Sequence, residues 1–204
     1  MMLTRRAIVA TALAVALHSA ALVGCWGRTG RPATPEASPA TPAATTVAPG
    51  SPLSDADKVA IYAAVLRHLF TGEDSFGRRH RPVVVYLLWW TDERAGDPRR
   101  TGAERAPIPE AAQAAVTEAL KGLAVRVVWV ESQAQVPMDS RTGAVRGPGA
   151  VVTLGGIRPQ PEGAVHVGVS IYAAGLAAAG QTCVVERKDG AWVVTGTTGV
   201  RWVS

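Results

Sequence analysis

Apolar and polar positions follow several distinct rhythms along this chain, and each rhythm predicts a different element. From Val59 onward Tyr62, Ala63, Leu66, Leu69 and Phe70 recur at helical spacing, which predicts an amphipathic helix over residues 55–70. Ser54 stands at the N-cap position, Asp55 and Asp57 put negative charge into the first turn, and Thr71-Gly72 ends the run. Residues 82–90 (Pro-Val-Val-Val-Tyr-Leu-Leu-Trp-Trp) show no alternation. Their short length and β-branched content predict a strand buried on both faces, central in a sheet. A polar loop over 91–106 follows, with Gly96-Asp97-Pro98 as its turn. Pro109 then opens a second helix that runs to Leu120 and stops at Gly122. Residues 123–130 read as another strand, and 131–149 as a long loop.

Beyond this point the chain reads as hairpins. Residues 150–154 form a short strand, with Gly155-Gly156 as a turn. Over 164–174 strict alternation sets Val165, Val167, Val169 and Ile171 on one face and His166, Gly168, Ser170 and Tyr172 on the other. Strands over 181–187 and 192–198 flank Asp189-Gly190, a strong hairpin signal. A two-residue turn there pairs Arg187 with Trp192, Val185 with Val194 and Cys183 with Gly196, and lets Arg187 stack on the Trp192 ring. The order α-β-α-β followed by a run of strands predicts an α+β fold. It consists of a curved, mainly antiparallel sheet of five to six strands with two helices on one face.

The first quarter of the chain has a different organisation. Arg5 and Arg6 precede an uncharged run over 7–23, the positive and apolar regions of a signal peptide. Its alanines are weakly hydrophobic, and His18 and Ser19 interrupt it, so it is a poor spanning helix. The run ends in Leu22-Val23-Gly24-Cys25, which resembles the lipobox of bacterial lipoproteins. That resemblance implies lipid on the Cys25 thiol, removal of residues 1–24, and a fatty acyl group such as palmitate on the new amino terminus. It places the mature protein on the outer face of the cytoplasmic membrane, or of another envelope membrane. Thr4-Arg5-Arg6-Ala7-Ile8-Val9 is also similar to a twin-arginine export signal, without the usual Phe-Leu-Lys after the arginines. Residues 26–52 are rich in Pro, Ala, Thr, Gly and Ser, a composition that buries too little apolar area to fold and predicts a disordered tether. The expected organisation is therefore a signal peptide over 1–24, lipidated Cys25 and tether over 25–52, and one domain over 53–204.

Charge and cysteine content narrow the partners. The net charge of +5 falls to +3 once Arg5 and Arg6 leave with the signal. The basic residues lie mainly in loops without interleaved aromatics, so nucleic acid is not an expected partner and anionic lipid is. With Cys25 carrying lipid, Cys183 is the one remaining thiol, and its apolar strand context predicts a buried, inert group. No Cys/His spacing indicates a metal, and no cofactor is expected.

The segment Arg187-Lys188-Asp189-Gly190-Ala191-Trp192-Val193-Val194 is similar to the closing hairpin of nuclear-transport-factor-2-like, or cystatin-like, domains. That likeness implies a cone-shaped pocket inside a curved sheet. Residues 59–204 also resemble an uncharacterised family of bacterial exported proteins that ends in a Thr-Gly-Thr-Thr-Gly segment, here Thr195 to Gly199; this brings no activity with it.

Candidate chemistry falls into three groups. His166, Ser170 and Tyr172 share a strand face and could line a polar pocket. Arg78, Arg79 and Arg81, with His80, form a basic loop before the first strand that could grip a phosphate or lipid headgroup. Asp92, Glu93 and Asp97 follow one buried strand and Glu131 the other; paired at neighbouring strand ends, such carboxylates could serve hydrolysis or hold a hard cation. No Gly-x-Ser-x-Gly, His-Glu-x-x-His or phosphate loop is present. The expected function is a non-catalytic ligand-binding or scaffolding lipoprotein, its small-molecule or protein ligand open. The alternative is an envelope-directed hydrolase using the loop carboxylates and His166.

Overall fold

The structure, a computed structural model, describes residues 52–72, 76–101 and 105–204. The signal, Cys25 and tether readings lie outside these residues. The described residues all belong to one unit.

Ser54 starts α1 (Asp55–Thr71) with a reciprocal capping box. Its hydroxyl accepts from the Asp57 N–H at 3.1 Å, and the Asp57 carboxylate accepts from the Ser54 N–H at 3.3 Å. Ile61, Val65 and Leu66 are fully buried along the inward stripe. Gly72 ends the helix in an extended conformation, its N–H bonded to the His68 carbonyl at 2.8 Å. The segment expected as a basic loop contains a helical turn, α2 (Phe76–His80). Stacked Phe76 and His80 rings span it (5.9 Å between centroids), and the Arg81 N–H closes it onto the Gly77 carbonyl at 2.9 Å. Five residues are too few for an apolar period to announce. The later helix, α3 (Glu110–Ala119), follows Pro109 as expected and buries Val116. The Arg67 guanidinium ties α1 to α3 through the Ala119 carbonyl.

Six strands form one open, mixed sheet: β1 (Val84–Leu88), β2 (Arg126–Val130), β3 (Gly149–Pro159), β4 (Val165–Ala174), β5 (Ala177–Lys188) and β6 (Ala191–Val203). Their order is β2-β1-β3-β4-β5-β6. β1 runs parallel to both β2 and β3, and the other three pairings are antiparallel. The fold is therefore α+β with a mainly antiparallel sheet. All three helices pack on one of its faces: Leu66 of α1, Val116 of α3 and Phe76 of α2 join Val85, Leu87, Val152, Val167 and Val169 in the main core.

Two details of the strands differ from the expected ones. Gly155-Gly156 is not a turn, because β3 continues through it to Pro159 with a register shift against β4 between Leu154 and Ile157. In the last hairpin Arg187 pairs with Trp192 and Val185 with Val194, as a two-residue turn requires, but Cys183 faces Thr197 rather than Gly196. One extra residue in β6 bulges between those pairs, which shifts every later partner. The Arg187 guanidinium does lie over the Trp192 ring, 6.0 Å from its centroid.

The opposite face of the sheet is also covered. The segment after β2 folds back over it, and Val136 and Val145 join Leu88, Val130 and Val151 in a second, smaller core.

Candidate functional site

The acidic loop after β1 is built into the domain. The Asp92 N–H bonds to the Leu154 carbonyl at 2.8 Å, and the Asp92 side chain caps a short 3-10 turn, Glu93–Ala95, by accepting from the Arg94 N–H at 2.9 Å. Its carboxylate is buried against Arg94 (3.0 Å) and Arg105 (3.5 Å). Burial pushes this carboxyl up, but the bonds from Arg94 and the charges of Arg94 and Arg105 outweigh burial and hold it below the usual range. Glu93 accepts from the Gly156 N–H at 2.8 Å and pairs with Arg158 at 2.5 Å and Arg100 at 3.4 Å. Asp97 pairs with Arg99 at 3.2 Å, and the Arg99 bonds hold its carboxyl low as well. Glu131 is exposed; its backbone carbonyl accepts from the Trp90 indole at 2.7 Å. A general acid at neutral pH needs a raised carboxyl pKa. Asp92 and Asp97 are pushed the other way, and their arginines account for their charge. Among the described residues no group of three or more His, Cys, Asp or Glu side chains is placed to hold a metal ion.

A row of glycines explains how this loop reaches the sheet. A Cβ on Gly168 would lie 2.8 Å from the Gly96 nitrogen, and one on Gly180 would lie 2.5 Å from the Ala95 carbonyl. One on Gly156 would lie 2.6 Å from the Glu93 carboxylate. The 3-10 turn and Gly96 after it thus lie directly on the backbone of β4 and β5, where glycine leaves room for them, and the Glu93 side chain reaches across to β3. Glycine within a strand is the signal of such an approach, but the partner segment is visible only in three dimensions.

This arrangement decides how His166, Ser170 and Tyr172 stand. All three point to the face away from the helices, as alternation predicts, and all are half-buried. Gly96 covers Gly168, which lies between His166 and Ser170. Tyr172 belongs to the second core and donates to the Gly143 carbonyl at 2.9 Å. His166 is flanked across the strands by Arg158 and Val184, and Ser170 by Thr153 and Gly180. The three share one face, under different parts of the overlying loops. On the helix side a gap of about 10 Å³, room for one water, adjoins Leu69, Phe76, Gln181 and Arg201.

Arg78 and Arg79 lie on α2, and Arg81 just beyond it in a left-handed conformation (φ 49°); all three are exposed. They flank the start of β1. Cys183 is fully buried in the main core, and burial pushes its thiol up to about 11, so it is protonated and unreactive at neutral pH. Compared with family models, curated proteins and solved structures, the chain has no match.

Proposed function

We propose that the chain is an extracytoplasmic lipoprotein, anchored by lipid on Cys25, whose domain binds a ligand or scaffolds rather than catalyses. One observation carries this reading: Leu22-Val23-Gly24-Cys25 closes an apolar run that begins directly after Arg5-Arg6. Among the described residues no helix is long and apolar enough to cross a membrane. The non-catalytic part is supported by the loop carboxylates, three of which are tied to arginines within 3.5 Å. The hydrolase alternative requires those carboxylates, with His166, to be available for acid–base work.

The test follows from the energetics of lipid anchors. A single acyl chain binds bilayers marginally, whereas two or more hold firmly, since each buried methylene contributes about 0.8 kcal/mol. Wild-type protein is expected to take up labelled fatty acid and to stay with membranes in high salt. The Cys25→Ser variant keeps the signal but loses the acceptor thiol. It is expected to take up no label, and to remain uncleaved or be shed after cleavage elsewhere. Wild-type protein without label, together with a serine variant of the same mass and location, overturns the reading.

A further inference from the structure

We propose that one end of the sheet is a docking face for an anionic bilayer surface, so that the domain lies against the membrane instead of merely being tethered to it. The proposal rests on the lipoprotein reading for its setting, and on geometry for its content. The register brings the starts of β1, β2 and β3 to the same end as the β4–β5 turn. Val84 pairs with both Arg126 and Gly149, Val151 with Tyr172, and Ala174 with Ala177. Val83, just before β1, bonds to the Pro148 carbonyl at 2.7 Å and accepts from the Arg126 N–H at 2.8 Å.

Two properties meet at this end. The first is apolar exposure: Leu176, at the tip of the β4–β5 turn, is 92% exposed, and Val83 is 56% exposed. Turn tips ordinarily carry Gly, Asn, Asp or Ser, yet this one reads Ala174-Gly175-Leu176-Ala177, without a polar side chain. The second is charge. Arg81, Arg126 and Arg146 are exposed here, and the basic turn α2 leads directly into it. The described acids of this end are engaged. Asp139 accepts from the N–H groups of Arg141 and Thr142 and lies near Arg146, whose charge helps to hold its carboxyl low, and Glu118 pairs with Lys121 at 2.5 Å. The clustered acids Asp92, Glu93, Asp97 and Glu131 follow the far ends of the short strands β1 and β2, and Asp92 and Glu93 are held against the middle of β3 by bonds to Leu154 and Gly156.

Aliphatic side chains rimmed by arginines match an anionic lipid surface, into which a leucine dips while guanidinium groups meet headgroups. The row spans about 24 Å across six strands, which suits a flat bilayer better than a small ligand. The covalent link permits this orientation, although α1 begins at the opposite end. Residues 26–52 number 27, with a maximum reach of about 90 Å, against about 25 Å for the length of α1.

Vesicle co-sedimentation of the unlipidated chain, Trp26 to Ser204, tests the face separately from the anchor. The probes are phosphatidylcholine vesicles with and without phosphatidylglycerol. The chain is expected to bind only the anionic vesicles, and less at high salt. Replacing Arg81, Arg126 and Arg146 together by Gln should weaken binding about 100-fold, at about fivefold per arginine. Leu176→Asp should weaken it about tenfold. A control at the other end (Lys58 and Lys188 to Gln), where α1 begins and β5 finishes, should stay within about threefold of wild type, since salt screens charges that far from the bilayer. All these positions are exposed, so the near-ultraviolet circular dichroism should be unchanged. No binding to anionic vesicles, or a loss per removed charge that is the same in the arginine variant and the far-end control, overturns the docking face. Because this chain carries no lipid, absence of lipid on Cys25 in cells leaves its result untouched, and the converse also holds.

Discussion

Asp92 shows how burial and pairing compete at a single residue. Burial alone would raise its pKa; Arg94 and Arg105 more than reverse this. Its folded pKa therefore lies below the unfolded value of about 3.9. The stability it contributes is present above that unfolded value and is lost as pH falls through the folded one. Asp92→Asn should cost about 2 kcal/mol at neutral pH, the scale of hydrogen bonds to a charged group. The gap from wild type in urea unfolding should close as the pH is taken below about 4. A gap that persists unchanged into acid would mean that the carboxylate charge is not what holds the loop. Gly180→Ala addresses the contact beneath it. An added methyl would meet the Ala95 carbonyl and the Trp202 indole, and overpacking against backbone should cost about 2 kcal/mol, read as a lower urea midpoint. Some residues were legible by themselves. Alternation alone put His166, Ser170 and Tyr172 on one face, and the hairpin signal put Arg187 opposite Trp192. The glycine contacts were not legible, since Gly168 in the sequence is only a gap in a pattern until Gly96 is seen resting on it.

At the scale of elements, the last hairpin and the first helix hold each other. The Trp192 indole donates to the Asp57 carboxylate at 2.9 Å, and Arg187 lies 3.7 Å from the same group. Asp57 thus caps α1 and fastens the β5–β6 hairpin to it. The Ser54 and Trp192 bonds, with Arg187, keep its carboxyl low despite some burial. Asp57→Ala should lower stability by about 2 kcal/mol, with the cap and the indole bond lost together. Asp55→Ala, at an exposed neighbour, should stay within about 0.5 kcal/mol; thermal unfolding of both variants makes the comparison. Cys183 reports on the same hairpin. It shares the helix-facing side of the sheet with Trp192 and is fully buried. A thiol reagent should label it slowly in the native protein and quickly after unfolding. Fast native labelling would place it on the other face, the signature of a one-residue register slip. The hairpin was legible because Asp189-Gly190 sets its turn locally. The bulge in β6 and the run of β3 through Gly155-Gly156 were not, because both depend on the neighbouring strand.

For the whole molecule, the α-β-α-β order followed by strands was enough to predict an α+β sheet with helices on one face. The second core was hidden: Val136, Met138 and Val145 are spaced irregularly in a polar segment, and only the fold of 131–149 over the sheet brings them together. The proposed function rests mainly on the start of the sequence, where the lipobox-like segment ending in Cys25 implies an address rather than a site. The domain adds a sheet with acids tied to arginines in the loop that lies across it, and exposed arginines with an exposed leucine at one end. The most direct test of the account is the mass of the amino-terminal peptide from protein extracted out of cell membranes. The account predicts a chain that begins at Cys25, heavier than its polypeptide by a diacylglycerol on sulfur and a further acyl group where the amine is modified. A chain that begins elsewhere, or a Cys25 with no added mass, would contradict it.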